Sequence, residues 1–186
     1  MRLAVLASGE GTILEALIAA GLDIAVVVVD RTCRAIEVAE RAGLPVAVLT
    51  RGSFGPDFDR AAYSKQVAMA LHDHGCDVAA IAGFGTVLDP VFFDEFADPV
   101  LNTHPSLLPA FKGWHAVEDA LAAGVKVTGC TVHLATAEVD AGPILAQQAV
   151  PVLPGDDAAS LHERIKSAER RLYPETITRV ARGELP

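Results

Sequence analysis

Three observations predict an α/β protein with a doubly wound, mostly parallel sheet, a C-terminal strand extension and a final helix. Short apolar runs alternate with segments of helical spacing as far as residue 102. The runs are continuous rather than alternating, the pattern of strands covered on both faces. The last third changes to two longer strand-like segments followed by one amphipathic stretch.

Residues 3–7 form the first apolar run; Ser8-Gly9-Glu10-Gly11-Thr12 then supplies a glycine turn, and Ile13, Leu14, Leu17 and Ile18 recur with helical spacing. The pattern repeats with strands over 25–29, 45–49, 77–82 and 100–102 and helices over 34–42, 58–72 and 90–96. Such β-α repetition makes the first half Rossmann-like, with right-handed crossovers. Ligands of such sheets bind outside the carboxyl ends of the strands, so the loops 8–12, 83–88 and 102–109 are expected to share one edge. A helix over 117–123 precedes hairpin-like strands over 126–135 and 143–152. Pro154-Gly155-Asp156-Asp157 provides a turn and an N-cap, and Leu161, Ile165, Ala168 and Leu172 mark the last helix.

The 186 residues suit one domain, 1–186, and 51% hydrophobic residues with 21% charged exclude a disordered chain. Fifteen Lys and Arg against twenty-four Asp and Glu give a net charge of −9. That field repels nucleic acid backbones and anionic bilayers, so neither is an expected partner. Clustered backbone N–H groups still hold a single phosphate, which keeps small anionic metabolites open. Cys33, Cys76 and Cys130 are odd in number and far apart, arguing against a disulfide framework and for a reducing cytoplasm. The N-terminal run reaches Gly9 too early for a signal-peptide core. The longest aliphatic stretch, 24–29, is far below the roughly 20 residues of a membrane helix.

Ser8-Gly9-Glu10-Gly11-Thr12 is placed as a phosphate cradle, after a strand and at a helix start, or is an ordinary tight β-α turn. Leu14 stands where a dinucleotide fingerprint has its third glycine, and no Gly-Lys-Ser/Thr follows. In Asn102-Thr103-His104-Pro105-Ser106-Leu107-Leu108-Pro109 the prolines stiffen the chain after a strand, and Asn102 and His104, two apart, project to one side. The amide can donate to a developing oxyanion and the imidazole can move a proton. Equally, both can be satisfied within a polar rim. Asp140, in a glycine- and proline-flanked turn, is an Asx-turn residue or a carboxylate that favours the imidazolium form of His104. His133 reads as either a residue supporting a site or a hydrogen-bonded rim histidine. His72, His74 and Cys76 at a helix end do not suit a tetrahedral metal site, so no metal is expected. Trp114 reads as a packing or lid residue.

The set Val5-Leu6-Ala7-Ser8-Gly9-x-Gly11, Ala82-Gly83-Phe84, Asn102-x-His104-Pro105-Ser106-Leu107-Leu108-Pro109, Gly129-Cys130-Thr131-Val132-His133 and Asp140-x-Gly142-Pro143-Ile144 resembles the folate-dependent formyltransferases. The likeness runs nearly end to end and is most specific from Leu101 to Pro174. It implies the formyltransferase fold and transfer of a formyl group from 10-formyltetrahydrofolate, as cosubstrate, to an amine. More narrowly, it implies glycinamide ribonucleotide as acceptor, in purine synthesis. The same likeness divides the chain into a phosphate-binding half, 1–100, and a catalytic and folate-binding half, 101–186.

The resemblance assigns the substrate phosphate to Ser8, Gly11, Thr12 and Ile13, and catalysis to Asn102, His104 and Asp140. It assigns folate contacts to Lys65, Gly85, Thr86, Val87, Leu88, Asn102 and Asp140, and the glycinamide end of the substrate to Glu169. Two departures stand out. Many members have Asn where this chain has Ile13, so backbone N–H groups must do more, and many have Met-Arg where it has Gly85-Thr86, which removes a cation. Other acceptors, such as a nucleotide amino-sugar, and hydrolysis of 10-formyltetrahydrofolate remain open, as does a monomer or a homodimer.

Overall fold

The computed structural model describes residues 1–53, 55 and 57–184. The chain divides into two compact units, Met1–Val100 and Leu101–Pro186.

In the first unit, β1 (Leu3–Ala7), β2 (Ile24–Val29), β3 (Val46–Val48) and β4 (Val78–Ile81) lie in the order β3-β2-β1-β4, with the β1–β2, β1–β4 and β2–β3 pairs all parallel. Every residue of β1 and β2 is buried, which is why both read as unbroken apolar runs. Between them run α1 (Thr12–Ala19), α2 (Arg34–Arg41) and α3 (Arg60–Asp73), and α4 (Pro90–Glu95) follows β4. The chain winds outward from β1 to β3 and then returns to pair β4 on the other side of β1. The β1/β4 boundary is therefore the topological switch point, where a doubly wound sheet opens a crevice at its strand ends. Both loops predicted there meet: Ser8 N–H donates to Gly83 O at 3.1 Å, and Gly85 N–H to Ser8 Oγ at 2.6 Å. The third predicted loop, 102–109, belongs to the second unit.

Strand and helix ends move by one or two residues from the sequence expectation, for local reasons. The helix expected from 58 begins at Arg60 because Asp59 caps it, accepting from Ala62 N–H at 2.9 Å. Asp89 caps α4 and Pro90 occupies its first turn, where a missing N–H does no harm.

The second unit holds β5 (Val100–His104), α5 (Ala116–Ala122), β6 (Val127–Leu134), β7 (Ile144–Pro151) and α6 (Ala158–Ala181). Here β6 pairs antiparallel with both β5 and β7, the expected hairpin-like extension. Cys130 and Val150 pack on Leu161, Ile165 and Ala168 of α6, so one face of this ladder is the apolar core. A capping box, Asp157 with Ser160, starts α6. β5 runs two residues further than expected, which puts His104 inside the ladder rather than in a loop.

Gly129 of β6 fixes how closely β7 approaches, since a Cβ there would collide with Gln148 O and come within 2.8 Å of Leu107 Cδ2. Gly129→Ala should destabilise the protein by about 1–3 kcal/mol in a urea titration, the usual range for overpacking. Gly52→Ala, with no heavy atom of the described residues within 4 Å of its added carbon, should stay within about 0.5 kcal/mol.

Candidate active site

The antiparallel register of β5 on β6 sets Asn102 opposite His133 and His104 opposite Thr131. Facing residues of such a pair share one side of the sheet. Asn102 Nδ2 lies 3.1 Å from His133 Nε2, and His133 Nδ1 lies 2.9 Å from Leu134 O. A carbonyl only accepts, so Nδ1 carries the proton and Nε2 accepts from the Asn102 amide. Burial pushes the His133 imidazole below its ordinary pKa, which keeps it in this neutral form. The sequence left the role of His133 open; its side chain, 2% exposed, is part of the cluster.

Asp140 completes the cluster from the β6–β7 connection. Its φ of 53° is left-handed, a conformation aspartate tolerates better than most residues. A Cβ at Gly142 would strike Leu134 O, so glycine lets this turn fold back against the end of β6. The Asp140 carboxylate lies 3.3 Å from His104 Nδ1 through Oδ2 and 3.8 Å from His133 Nε2 through Oδ1, and Oδ2 accepts from Gly113 N–H at 2.8 Å. On its other side, His104 Nε2 lies 2.8 Å from Phe111 O. Both His104 nitrogens thus face acceptors, an environment that only the imidazolium satisfies fully. In this arrangement the His104 ring is held from both sides, by Asp140 and by Phe111 O. The proton-moving role expected from sequence requires Nε2 to leave Phe111 O.

The loop after β5 is tied down by one hydroxyl. Thr131 Oγ1 donates to Ser106 O at 2.7 Å and accepts from Leu108 N–H at 3.0 Å and from Gln147 Nε2 at 2.9 Å. Gln147 Nε2 also donates to Leu108 O at 2.9 Å. Sequence singles out Thr131 only as part of the motif 129–133, and Gln147 not at all, because the role of both arises from strand pairing.

Glu169 is not brought onto the face that carries Asn102, His104 and Asp140. Its Oε1 accepts from Thr103 Oγ1 at 2.8 Å, and Thr103 alternates with Asn102 and His104, so this carboxyl lies on the α6 face of β5. Burial pushes its pKa up to about 7.

In the first unit, α1 begins at Thr12 with Gly11 as its left-handed N-cap (φ 72°), without a side-chain cap. The first helical bond runs from Glu15 N–H to Gly11 O, so the N–H groups of Thr12, Ile13 and Leu14 precede the helical ladder. The Ile13 side chain is buried, leaving its N–H as its contribution to that turn. A Cβ at Gly11 would lie 3.0 Å from Ala35 Cα, so glycine is demanded by the fold as well. Arg34 grips the turn, donating to Glu10 O and to Glu15 at 2.7 Å.

Of the residues linked to folate in this unit, Thr86 and Leu88 are buried while Gly85 and Val87 are half-buried. Lys65 Nζ lies 3.9 Å from Glu95, and Arg60, also on α3, lies 3.4 Å from Asp89, which follows Leu88. Trp114 is 71% exposed, so it packs little. Among the described residues no group of His, Cys, Asp or Glu could hold a metal ion, and no helix is long and apolar enough to cross a membrane.

Residues 1–177 match the family described as Formyl transferase. A Mycobacterium tuberculosis protein named phosphoribosylglycinamide formyltransferase is 49% identical over 185 residues, covering 97% of this chain and 85% of that protein. The human trifunctional purine biosynthetic protein adenosine-3 is 40% identical over 189 residues, 98% of this chain but 18% of that protein. The solved structure of glycinamide ribonucleotide transformylase 1 from Symbiobacterium toebii superimposes with a TM-score of 0.92 at 41% identity, over 98% of this chain and 88% of that one.

The Glu169 carboxyl gives a pH test. The folded protein holds its proton up to about pH 7, whereas the model value for a free glutamate is 4.5. Its stabilisation is therefore complete below that lower value and is lost as pH rises through about 7. Glu169→Gln should gain stability relative to the native protein as pH rises over that window, read as the difference in urea midpoints. A constant difference would show that Glu169 does not titrate there.

Proposed function

The chain belongs to the formyl transferase family, and on that premise we propose that it transfers a formyl group from 10-formyltetrahydrofolate to the amino group of 5′-phosphoribosylglycinamide. The products are formylglycinamide ribonucleotide and tetrahydrofolate, and the step belongs to purine biosynthesis in the cytoplasm. The observation that carries this reading is the cluster of half-buried Asn102 with buried His104 and Asp140, His133 holding the amide.

The substrate amine attacks the formyl carbon, forming the new C–N bond and placing negative charge on the former carbonyl oxygen. The second N–H of the Asn102 amide and the positive His104 imidazole are suited to stabilise that oxyanion. Collapse breaks the bond from the formyl carbon to N10 of the folate. The proton lost by the amine passes to N10 through water or through His104 once released from Phe111 O. Asp140 holds the imidazole oriented and charged. The free first-turn N–H groups of Thr12 and Ile13, with Ser8 and Gly11, support binding of the ribose phosphate. Lys65, Gly85, Thr86, Val87 and Leu88 are assigned to the folate together with Asn102 and Asp140. Glu169 is assigned to the glycinamide end of the substrate.

The test follows a 10-formylfolate analogue spectroscopically with glycinamide ribonucleotide, with a nucleotide amino-sugar, and with no acceptor. Turnover is expected with the ribonucleotide only. Turnover without acceptor identifies a hydrolase and contradicts the proposal. Asn102→Ala should lower kcat about a hundred- to a thousand-fold, the usual loss for one oxyanion donor, with the fold intact by circular dichroism.

A further inference from the structure

Asp30 follows β2 at the strand-end edge that carries the loops 8–12 and 83–88, and its side chain has no solvent exposure. A buried carboxylate is strongly disfavoured unless donors surround it. Here Arg31 Nε donates to Oδ1 at 2.9 Å and Nη2 to Oδ2 at 3.0 Å, and Thr86 Oγ1 donates to Oδ2 at 2.8 Å. Burial alone would push this carboxyl up, but the hydrogen bonds from Arg31, Ser8 and Thr86 outweigh it and hold the group below the usual carboxylate range.

Nothing in β2 itself calls for this acid, since an aliphatic side chain would bury there without needing donors. What its donors share is location. Ser8 opens the glycine turn and accepts from Gly85 N–H, and Thr86 lies in the 83–88 loop. Arg31 lies across Gly85: a Cβ at 85 would run into its Nη2 and come within 3.4 Å of Asp30 Oδ2. The bidentate Arg31–Asp30 pair joins one cation to one anion, so it works as a neutral scaffold rather than as a receptor for an anion.

We infer that Asp30 is a positioning residue for the folate cosubstrate: through Thr86 and Arg31 it fixes the backbone of residues 85–88, on which that cosubstrate is bound. The inference rests on the formyltransferase reading above. The Gly85-Thr86 pair is then the counterpart of Asp30–Arg31, the glycine leaving room for the guanidinium and the threonine supplying the third donor. Asp30 touches no reacting atom and acts only through this loop.

Steady-state kinetics and calorimetric binding of a 10-formylfolate analogue on Asp30→Asn, Thr86→Val and Thr86→Ser test this. Losing one hydrogen bond to the carboxylate should raise KM and Kd for the analogue about tenfold or more in Asp30→Asn and Thr86→Val. The loss in Thr86→Val should fall on the analogue more than on the ribonucleotide, and Thr86→Ser, which keeps the hydroxyl, should restore native affinity. If Asp30→Asn fails to fold, the threonine pair decides. Unchanged analogue affinity in Thr86→Val, or an equal loss for both substrates that serine shares, overturns the inference. Native protein that binds the analogue but transfers nothing overturns the formyltransferase reading instead, and the affinity comparison still decides the role of Asp30.

Discussion

Burying His104, His133 and Asp140 on one face of a two-strand ladder is the constraint from which the rest of the second unit follows. All three are at most 8% exposed, and leaving a polar atom in such a place without a partner is costly. The neutral His133 accepts from Asn102, Asp140 stands beside both imidazoles, and the carbonyl of Phe111 closes the far side of His104. Each contact fixes an orientation that a solvated side chain would lose. Electrostatic stabilisation of a developing oxyanion requires just such donors, set in place before the reaction begins.

The first unit meets a comparable demand with different material. Its two loops at the β1/β4 switch point are joined by the Ser8–Gly85 hydrogen bond and anchored below by Asp30. The backbone N–H groups of Thr12, Ile13 and Leu14 precede the helical ladder of α1, in a turn gripped by Arg34. In both units a buried carboxylate organises a loop, Asp30 by accepting from three side chains and Asp140 by lying between two histidines and a backbone N–H.

Much of this was legible in the sequence because parallel strands buried on both faces read as continuous apolar runs, and because Asp157 announces the start of α6. The trio of Asn102, His104 and Asp140 was legible through family resemblance more than through spacing: 36 residues separate His104 from Asp140, and only the left-handed turn at Asp140 brings them together. His133 could be placed on the right face of its strand, but its contact with Asn102 depends on strand register. Asp30 escaped notice because an acid at the end of an apolar run reads as the start of a turn, and its burial depends on donors 22 and 56 residues away, Ser8 and Thr86.

The most direct measurement of the central constraint is the protonation of the His133 ring, read by ¹⁵N-edited NMR at neutral pH. A neutral ring with the proton on Nδ1 and a bare Nε2 is predicted, the only form that can accept from the Asn102 amide while donating to Leu134 O. A proton on Nε2, in either the other tautomer or the cation, would mean that His133 does not hold Asn102, and the arrangement of the catalytic face described here would be wrong.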